Sequence, residues 1–495
     1  MKLGDLLRNV DVVALRGEAG TDVVSVVSDS RLAGRGALFV AIAGLKQDGA
    51  KFIDAAVEKG VSVIVSEGAI ADRSSVTSVQ VSDARAALAT IAANFYGNPA
   101  GKLSLIGVTG TTGKTTTTRM IESILDAPLN GVVEPVGLIG TIEYRAGDER
   151  LVADRTTPDA VVLQQWFARM VEAGVKHAVM EVSSHALALE RTYGVRFTAA
   201  VFTNLSRDHF DFHKDFEDYF AAKKLLFTQI DNASRAVVNA DDEYGRRLIA
   251  ELGDEVLTFG RDAKVRPAAG FEVSTRGLHG TLHTPSGDIR VESPLLGAPN
   301  LSNWMAAVGA ALVAGIGPER IETGIRNLRS VRGRFERVDS GDDGPTVIVD
   351  YAHKPDAIEK LLHAVRDLAG GKRLIVVFGC GGDRDKGKRP LMGAIAARLA
   401  DRVVLTSDNP RSEPPQTIID EIAAGIVGGT PVIQLPDRRE AIARTIAEAP
   451  EESVVVIAGK GHEAYQVVRD QVVHFDDREE AELALQKRHE KAVVK

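Results

Sequence analysis

Short apolar runs alternate with segments of helical periodicity along most of the chain, and each run ends in polar residues or glycine. Alternation of strands with helices is typical of an α/β protein with a mainly parallel sheet. In open sheets of this kind, ligands bind beyond the carboxyl ends of the strands, so we expect the functional residues there. The runs that we interpret as strands are GALFVAIAG, VSVIVSE, KLSLIGV, VKHAVMEV, TAAVFTN, SRAVVNA, TVIVDYA, RLIVVFG, RVVLTSD and VVVIAGKG.

Breaks in this pattern predict three domains. Residues 96–102, YGNPAGK, combine Gly, Asn and Pro and are typical of a linker, which gives a first α/β domain at 1–98. The second domain, 99–331, contains a predicted β-hairpin insertion at 255–296 and then the helix NLSNWMAAVGAALVAG. The third domain, 332–495, begins near VRGRFERV and ends in a charged segment that we interpret as a surface helix.

The second domain opens with GVTGTTGKTTTTRM, residues 107–120. A glycine-rich turn between a strand and a helix N-terminus is an anion site, because backbone N–H groups and the helix dipole both favour negative charge. Lys114 can reach the outer phosphates of ATP or GTP, and the Thr115 hydroxyl can bind Mg²⁺. Val108 stands where the standard phosphate-loop pattern has its first glycine, so the pattern is shifted.

Composition limits the class of protein. The chain has 495 residues, is 44% hydrophobic and 26% charged, and carries a net charge of −8, so it has no overall attraction for nucleic acid. The N-terminus lacks the apolar core of a signal peptide, and no apolar run reaches transmembrane length. The single cysteine, Cys380, excludes an internal disulfide and indicates a reducing cytoplasm.

Acidic residues and histidines follow two predicted strands of the second domain. Glu181 ends a strand in MEVSSHAL, and the segment TNLSRDHFDFHKD contains Asp208, His209, Asp211 and His213. These residues fit a zinc site, a Mg²⁺ site beside a nucleotide, or a solvated polar loop. Lys223 and Lys224 follow on a predicted helix and face different directions, which by itself indicates two surface lysines.

Two loop motifs belong to the third domain. GCGGDRDKG is close to a dinucleotide fingerprint, but Arg384 holds the third glycine position, so we reject a nicotinamide site. SDNPRSE, residues 407–413, contains an Asn-Pro pair that commonly begins a turn.

Taken in order along nearly the whole chain, these motifs resemble the Mur ligase family, the ATP-dependent amide-forming enzymes of peptidoglycan precursor synthesis. The resemblance implies an N-terminal UDP-binding α/β domain, a central P-loop ATPase domain with a mostly parallel sheet, and a C-terminal Rossmann-like α/β domain. SDSR at 28–31 and the GLKQDG segment are similar to the UDP-binding domain of the member that adds the third residue of the stem peptide. The motifs that carry the resemblance are GTTGKTT, EVSSHAL, TNLSRDH, AAK, NADDE, NLSN, GRFE, DYAHKPDA and GKGHE.

The resemblance implies a reaction as well as a fold. The acceptor is the side-chain carboxylate of D-glutamate in UDP-N-acetylmuramoyl-L-alanyl-D-glutamate, activated by ATP as an acyl phosphate and then attacked by an amine. The cofactors implied are ATP, Mg²⁺ and a CO₂-derived carbamate on Lys223. We also expect a cytoplasmic monomer without nucleic acid partners or membrane insertion.

The resemblance also assigns residues. The catalytic residues are Lys114, Glu181, His209 and Lys223. The metal ligands are Thr115, Glu181, His209 and Lys223 as its carbamate, while Asp211 and His213 are structural. The ATP-binding residues are Gly110, Thr111, Thr112, Gly113, Lys114, Thr115, Thr116, Asn300, Arg334 and Asp350. The residues expected to bind the UDP-muramoyl dipeptide are Ser28, Ser30, Lys46, Gln47, Thr156, Thr157, Ser183 and Arg191. The amine-binding residues are Arg384, Asp408, Asn409, Pro410, Arg411, Gly459 and Glu463.

The DNPR segment resembles the family's meso-2,6-diaminopimelate motif, and the chemistry agrees. Diaminopimelate differs from lysine by a distal carboxylate, which Arg411 can bind with two hydrogen bonds and Asn409 with a third. Lysine would leave that arginine unpaired, which disfavours the alternative of an L-lysine-adding ligase.

Three other hypotheses remain at this stage. A folylpolyglutamate synthetase is disfavoured by the 1–98 block with its SDSR segment. A zinc hydrolase built on DHFDFH would leave the phosphate loop without a purpose, and metal analysis would test it. An ATP-binding switch protein would bind nucleotide without depending on a peptide carboxylate.

Overall fold

The computed structural model describes residues 1–44, 47–69, 76–338 and 344–493. The chain divides into two compact units. Unit 1 comprises Met1–Arg266, Thr284–Ser286 and Met305–Gly324, and unit 2 comprises Pro267–His283, Gly287–Trp304 and the chain from Ile325 onward. Within the described ranges, no helix combines the length and apolar character needed to span a bilayer.

Unit 1 begins with a five-stranded sheet in the order β1-β5-β4-β3-β2, parallel except for the antiparallel edge strand β1. Strand β3 is buried on both faces, which explains the continuous apolar run in its sequence. Helix α3 begins where the Asp83 side chain accepts hydrogen bonds from Arg85 N and Ala86 N, and it packs its alanine-rich face on the sheet. The elements are α1 Leu3–Leu6, β1 Val12–Arg16, β2 Ser25–Val27, β3 Ala37–Ala41, α2 Ile53–Glu58, β4 Val63–Ser66, β5 Thr77–Val81 and α3 Ala84–Phe95.

An eight-stranded sheet follows in unit 1, in the order β13-β12-β11-β6-β10-β7-β8-β9. The six strands from β13 to β7 are parallel, which confirms the predicted sheet type. Strands β8 and β9 extend it as an antiparallel edge that the sequence pattern did not predict, because they are short and β9 is exposed along its length. The strands are β6 Ser104–Thr109, β7 Val136–Ile139, β8 Glu143–Ala146, β9 Glu149–Val152, β10 His177–Glu181, β11 Ala199–Phe202, β12 Ala236–Asn239 and β13 Leu257–Phe259.

Helices cover this sheet, and α5, α6, α7 and α8 share an apolar core with it that includes Trp166, Phe167 and Phe202. The first residue of α5, Ala160, also packs into the core of the N-terminal sheet, so one helix contacts both layers. The helices are α4 Lys114–Asp126, α5 Ala160–Glu172, α6 Ser184–Ala188, α7 Phe216–Lys224 and α8 Glu243–Leu252. Single 3₁₀ turns lie at Gly49–Phe52, Pro99–Lys102, Leu225–Thr228 and Ala233–Arg235.

The predicted hairpin insertion is confirmed as a small sheet in which β16 pairs antiparallel with β15 and β17, but its predicted start at 255 is too early, because β13 belongs to the eight-stranded sheet. It is followed by the predicted long helix α9 and by α10. These elements are β14 Arg266–Pro267, β15 Glu272–Ser274, β16 Gly277–His283, β17 Ile289–Ser293, α9 Gly297–Val313 and α10 Pro318–Asn327.

The main sheet of unit 2 has six strands in the order β18-β19-β23-β20-β21-β22 and is parallel from β19 to β22. All four predicted strands of this region are confirmed. Two separate apolar cores flank the sheet, as expected for strands that are buried on both faces. The strands are β18 Glu336–Val338, β19 Thr346–Asp350, β20 Arg373–Phe378, β21 Arg402–Leu405, β22 Val432–Gln434 and β23 Ser453–Ala458.

A two-stranded hairpin, β24 Tyr465–Val468 and β25 Gln471–His474, follows the last sheet strand. The C-terminal helix α15, Asp477–Val493, is charged as predicted, but Ala481, Ala484 and Leu485 are buried against the sheet. It is therefore an amphipathic covering helix rather than a purely surface one. The other helices are α11 Pro355–Ala369, α12 Lys388–Leu399, α13 Pro415–Ala423 and α14 Arg438–Glu448.

Candidate active site

The phosphate loop joins β6 to α4. Gly110 has a φ of 149° and Gly113 a φ of 83°, which are angles that favour glycine. A Cβ on Gly110 would also lie 1.9 Å from Thr203 Oγ1, so the loop runs against the end of β11. Val108 is still inside β6, where it is fully buried and pairs with Glu181 of β10, so this position needs an apolar strand residue.

Residues that follow β11 hold the phosphate loop in place. Thr112 N donates to Asn204 Oδ1 at 3.0 Å, Thr111 N donates to Asn204 O at 2.9 Å, and Thr203 Oγ1 donates to Thr112 O at 2.7 Å. TNLSRDH is recognisable as a motif in the sequence, but this role of Thr203 and Asn204 depends on tertiary contacts. Thr116 lies in the buried first turn of α4.

Two lysines converge on one carbonyl of the loop. Lys114 Nζ donates to Gly110 O at 2.8 Å and to Thr111 O at 3.0 Å, and Lys223 Nζ donates to the same Gly110 O at 2.7 Å. Lys223 is 1% exposed, and its amine lies 4.4 Å from the centre of the Tyr219 ring. Burial and then Lys114 hold the pKa of Lys223 well below its ordinary value, against an opposing effect of Asp208. The neighbouring Lys224 instead forms an exposed ion pair with Glu251.

The carboxylate of Glu181 lies at the end of β10 and is 1% exposed. Thr115 Oγ1 donates to its Oε2 at 3.0 Å, and Thr141 donates its N to Oε1 at 2.7 Å and its Oγ1 to Oε2 at 3.0 Å. One carboxylate and two hydroxyls form an oxygen-rich site of the kind that Mg²⁺ prefers. Thr141 was missed from the sequence because no motif surrounds it.

The residues expected to bind the muramoyl dipeptide surround the same strand end. Thr157 Oγ1 donates to Glu181 O at 2.8 Å and accepts from Ser183 N at 3.1 Å. Arg191 donates to Thr157 O at 2.7 Å, and Thr156 Oγ1 lies 3.1 Å from Thr141 Oγ1. The structure therefore links these four residues, directly or through Thr157 and Thr141, to the end of β10 that carries Glu181.

The histidine-rich loop contains one half-buried and one buried imidazole. His209 has a φ of 57°, its N donates to Asp208 Oδ1 at 2.8 Å, and its ring centre lies 4.8 Å from that of His185. His213 is buried, with Nε2 2.9 Å from Ser184 Oγ and Nδ1 3.1 Å from Asp218 Oδ2, so it braces the start of α6.

A tetrahedral zinc site is not assembled by this loop. Asp211 is exposed, and within the described part of the chain no group of three or more His, Cys, Asp and Glu side chains is placed to hold a metal ion. The oxygen-rich surroundings of Glu181 therefore remain the candidate cation site.

In unit 2, Asp350 ends β19 and accepts hydrogen bonds from Phe335 N at 2.7 Å and Ala352 N at 2.8 Å. Burial raises the pKa of Asp350, and Arg334 opposes that rise. The Arg334 guanidinium lies 4.6 Å from the centre of the ring of Tyr351, the residue after Asp350, and it interacts with the Asp350 carboxylate. Asn300 lies on α9, where its amide donates to Leu296 O at 2.9 Å.

The DNPR loop, residues 407–411, follows β21, and the GKGHE loop, residues 459–463, follows β23, the two strands that flank β20 in the unit 2 sheet. Asn409 Nδ2 donates to Glu463 Oε2 at 3.0 Å. Gly459 has a φ of 121°, and a Cβ there would lie 2.8 Å from Asp408 Oδ2, so a side chain would collide with the DNPR loop. The two motifs, although distant in sequence, therefore form one site.

The remaining predicted residues of this site lie around these loops. Arg411 has a φ of 52° and donates to Gly382 O at 2.8 Å, which ties the DNPR loop to the segment that carries the exposed Arg384. Pro410 O accepts from Glu413 N at 3.1 Å and closes the turn. Lys460, fully buried between Asn409 and Glu463, was missed because sequence reasoning assigned only the first and last residues of GKGHE.

Cys380 lies near this site but is not poised as a nucleophile. It is buried, its Sγ is 3.7 Å from Met392 Sδ, and burial raises the pKa of its thiol to about 12. This geometry agrees with the structural role expected from the sequence.

The residues expected at the UDP end lie in the N-terminal sheet layer. Ser28 and Ser30 follow β2, and Ser30 O accepts a hydrogen bond from Lys59 Nζ at 2.8 Å. Gln47 is exposed, and its carbonyl accepts from Gly44 N at 3.0 Å. Lys46 lies outside the described residues.

Family models cover most of the chain. Residues 22–96 match the model described as Mur ligase family, catalytic domain, residues 108–311 match the Mur ligase middle domain, and residues 333–461 match the Mur ligase, glutamate ligase domain. These matches follow the order of the motifs described above.

Full-length relatives and solved structures agree with these matches. A protein from Gloeobacter violaceus named UDP-N-acetylmuramoyl-L-alanyl-D-glutamate–2,6-diaminopimelate ligase is 47% identical to this chain, over 99% of both chains. A protein of the same name from Clostridium tetani is 42% identical, over 97% of this chain and 98% of the relative. A solved structure of the same name is 32% identical over 99% of both chains, with a TM-score of 0.70. A folylpolyglutamate synthase from Mycobacterium tuberculosis, at 18% identity over 74% of this chain and 91% of its own, with a TM-score of 0.58, shares the fold alone. The chain belongs to the Mur ligase family.

Proposed function

We propose that this chain is the ATP-dependent ligase that adds meso-2,6-diaminopimelate to UDP-N-acetylmuramoyl-L-alanyl-D-glutamate in peptidoglycan precursor biosynthesis. The observation that carries the proposal is the similarity, over 99% of the chain, to relatives that bear this name. The two constellations described above supply the chemistry: a phosphate loop beside a buried carboxylate, and a polar site at the DNPR and GKGHE loops.

Activation of the acceptor carboxylate is the first requirement. A carboxylate does not react with an amine at neutral pH because its oxygen is a poor leaving group. Transfer of the ATP γ-phosphate to the D-glutamate side chain gives an acyl phosphate, whose phosphate leaves readily when the amine attacks. Catalysis of this kind depends mainly on positioning and charge neutralisation, which the loop N–H groups and Lys114 are placed to provide.

A divalent cation fits the oxygen-rich site at the end of β10. We propose Thr115 and Glu181 as ligands of one Mg²⁺, and Glu181, His209 and Lys223 as ligands of a second. When bound, the cation neutralises charge on the phosphates. Thr141 holds Glu181 through both carboxylate oxygens, and so fixes the direction in which this ligand points.

Lys223 can act as a ligand only after its charge is changed. A protonated amine has no lone pair to give, whereas a carbamate, formed by CO₂ on the neutral amine, presents two anionic oxygens. The burial of Lys223 and the depression of its pKa favour the neutral amine that this reaction needs. The neighbouring Lys114 would then face an anion instead of a second cation.

The amine site selects the second substrate. We propose that Arg411 and Asn409 bind the distal carboxylate of diaminopimelate, Glu463 binds its distal ammonium, and Arg384, Asp408, Pro410 and Gly459 complete the site. L-lysine lacks the distal carboxylate and would leave Arg411 without its partner. A site built to hydrogen-bond a polar group rejects an analogue without it by about 10⁴-fold or more.

The remaining features of the proposal concern organisation. We place the domain boundaries at 98/99 and 331/332, and the UDP moiety at Ser28, Ser30, Lys46 and Gln47. The buried free thiol of Cys380 agrees with a reducing cytoplasm. We propose that the protein is a monomer, and its molar mass from sedimentation equilibrium would test this.

Phosphate release from ATP tests the function. The assay contains Mg²⁺ and UDP-N-acetylmuramoyl-L-alanyl-D-glutamate, with either meso-diaminopimelate or L-lysine as the amine. We expect release with diaminopimelate alone. Equal release with lysine would preserve the ligase but overturn the role of Arg411, and release with neither amine would overturn the proposed function.

A further inference from the structure

Lys460 is a fully buried cation beside the proposed amine site. Its side chain is 0% exposed, and its Nζ lies 3.2 Å from Asn409 Oδ1 and 3.4 Å from Glu463 Oε2. The same nitrogen lies 5.4 Å from the centre of the Tyr465 ring. A buried ammonium is costly unless it is paired and hydrogen-bonded, so these contacts account for its burial.

Lys460 determines which way the Asn409 carboxamide points. Asn409 Oδ1 accepts hydrogen bonds from Lys460 Nζ and from Val467 N, the latter at 2.9 Å. The reversed amide would direct N–H groups at an ammonium and at a backbone N–H. The Asn409 nitrogen is therefore held toward Glu463, where it donates to Oε2 at 3.0 Å.

The hairpin that starts at Tyr465 holds the backbone of the DNPR loop. Arg411 N donates to Val467 O at 3.0 Å, Arg469 N donates to Arg411 O at 2.8 Å, and Gln466 Nε2 donates to Asp408 O at 2.6 Å. Because the DNPR loop is fixed on this hairpin, the side chain of Lys460 meets Asn409 in a defined position.

The charges around Glu463 come from several elements. Burial raises the pKa of Glu463, Lys460 lowers it, and Asp408 raises it. Arg438 of α14 and the phenols of Tyr351 and Tyr465 interact with the same carboxylate. Lys460 is therefore the main group that opposes the effect of burial on the pKa of Glu463.

We propose that Lys460 is a positioning residue of the amine site, which orients Asn409 and keeps Glu463 in the arrangement that binds the distal end of diaminopimelate. This inference rests on the proposed function, and it adds a determinant of amine specificity that does not itself touch the substrate. Lys460 acts on the substrate only through its two neighbours.

The test compares Lys460→Met, which keeps the length of the side chain without its charge, with Lys460→Arg and with the exposed-site control Lys487→Met. We expect Lys460→Met to raise the KM for meso-diaminopimelate about tenfold or more, the usual effect of removing a hydrogen bond to a charged group, with the KM for ATP unchanged. The acid limb of kcat/KM for diaminopimelate should move to higher pH, because Glu463 then binds a proton more readily. Lys460→Arg should keep the wild-type acid limb, and Lys487→Met should match wild type throughout.

A double-mutant cycle with Glu463→Gln supplies a readout that a general loss of structure would not mimic. If Lys460 acts through Glu463, adding Lys460→Met to Glu463→Gln should change the KM for diaminopimelate much less than the single substitution does. Effects that multiply in the double variant would overturn the inference, as would a Lys460→Met enzyme with a wild-type KM and acid limb. If Lys460→Met does not fold, an acid limb displaced in Lys460→Arg would overturn it. Wild-type enzyme without diaminopimelate-dependent phosphate release would instead overturn the proposed function.

Discussion

One buried lysine, Lys223 of α7, contacts the phosphate loop, and another, Lys460, lies in the GKGHE loop, but their surroundings differ. Lys223 shares the Gly110 carbonyl with a second lysine, Lys114, and its pKa is strongly lowered. Lys460 lies against a carboxylate and an amide oxygen. The first arrangement favours loss of a proton and prepares an amine for reaction, whereas the second uses the charge to hold neighbours in place.

The same contrast extends to the regions around the lysines. Backbone groups, threonine hydroxyls and one asparagine hold the phosphate loop. Behind the DNPR and GKGHE loops lies a fully buried ion pair, Arg438–Asp477, whose arginine also donates to Ser407 O and Ala458 O. Besides the two lysine amines on Gly110 O, threonine and asparagine side chains thus position the phosphate loop, whereas a buried ion pair supports the amine site.

The largest effect is expected from Lys223→Met. Loss of the proposed carbamate should lower kcat about 10²- to 10³-fold, as removal of a preorganised charge-stabilising group does. Because the substitution replaces a costly buried amine by an apolar chain, the free energy of unfolding should not fall. Phosphate release and urea unfolding measure the two quantities.

Lys224→Met is the matched control for that experiment, since Lys224 is adjacent on α7 but exposed and paired with Glu251. It should retain wild-type kcat. Comparable activity of the Lys223 and Lys224 variants would contradict the ligand role of Lys223. In the wild type, ¹³C-labelled bicarbonate should give a carbamate resonance that the Lys223 variant lacks.

The second-largest effect is expected from Asp477→Ala. It leaves the Arg438 guanidinium buried without its partner, which costs about 3–5 kcal/mol of unfolding free energy. The adjacent exposed pair Arg478–Glu482, at 2.8 Å, provides the control, because Glu482→Ala should cost only about 0–1 kcal/mol. Urea unfolding of both variants makes the comparison, and equal losses would show that the buried pair does not hold the amine region.

The third prediction concerns how the buried amine of Lys223 makes stability depend on pH. The folded-state pKa of Lys223 is lowered, so between that value and its ordinary value of 10.5 the unfolded chain binds more protons than the folded chain. Stability in CO₂-free buffer should therefore rise with pH in this window, by up to about 1.4 kcal/mol per pH unit. Lys223→Met should remove this increment, and identical pH slopes for the two proteins would contradict the lowered pKa.

Sequence patterns predicted the strand, turn and helix of the phosphate loop because these elements are contiguous in sequence. The strand, the glycine turn and Lys114 lie within one segment, and Glu181 was recognisable as the polar end of a strand. Thr141, Asn204 and Lys460 were not assigned, since each acts through a tertiary contact that no local pattern encodes. Periodicity also could not show the edge strands β8 and β9, or the buried face of α15.

The smallest effect is expected from Thr203→Val, which removes one hydroxyl without changing the shape of the side chain. The Thr203 hydroxyl donates to Thr112 O in the phosphate loop, and Asn204 Nδ2 also donates to that carbonyl at 3.2 Å. Because a second donor remains, we expect a loss of about 1 kcal/mol, seen as a several-fold increase in the KM for ATP at constant KM for diaminopimelate. Thr445→Val, which removes a buried hydroxyl from α14, is the control and should leave the KM for ATP unchanged. A Thr203→Val enzyme that lost affinity for diaminopimelate instead would contradict the separate support of the phosphate loop and of the amine site.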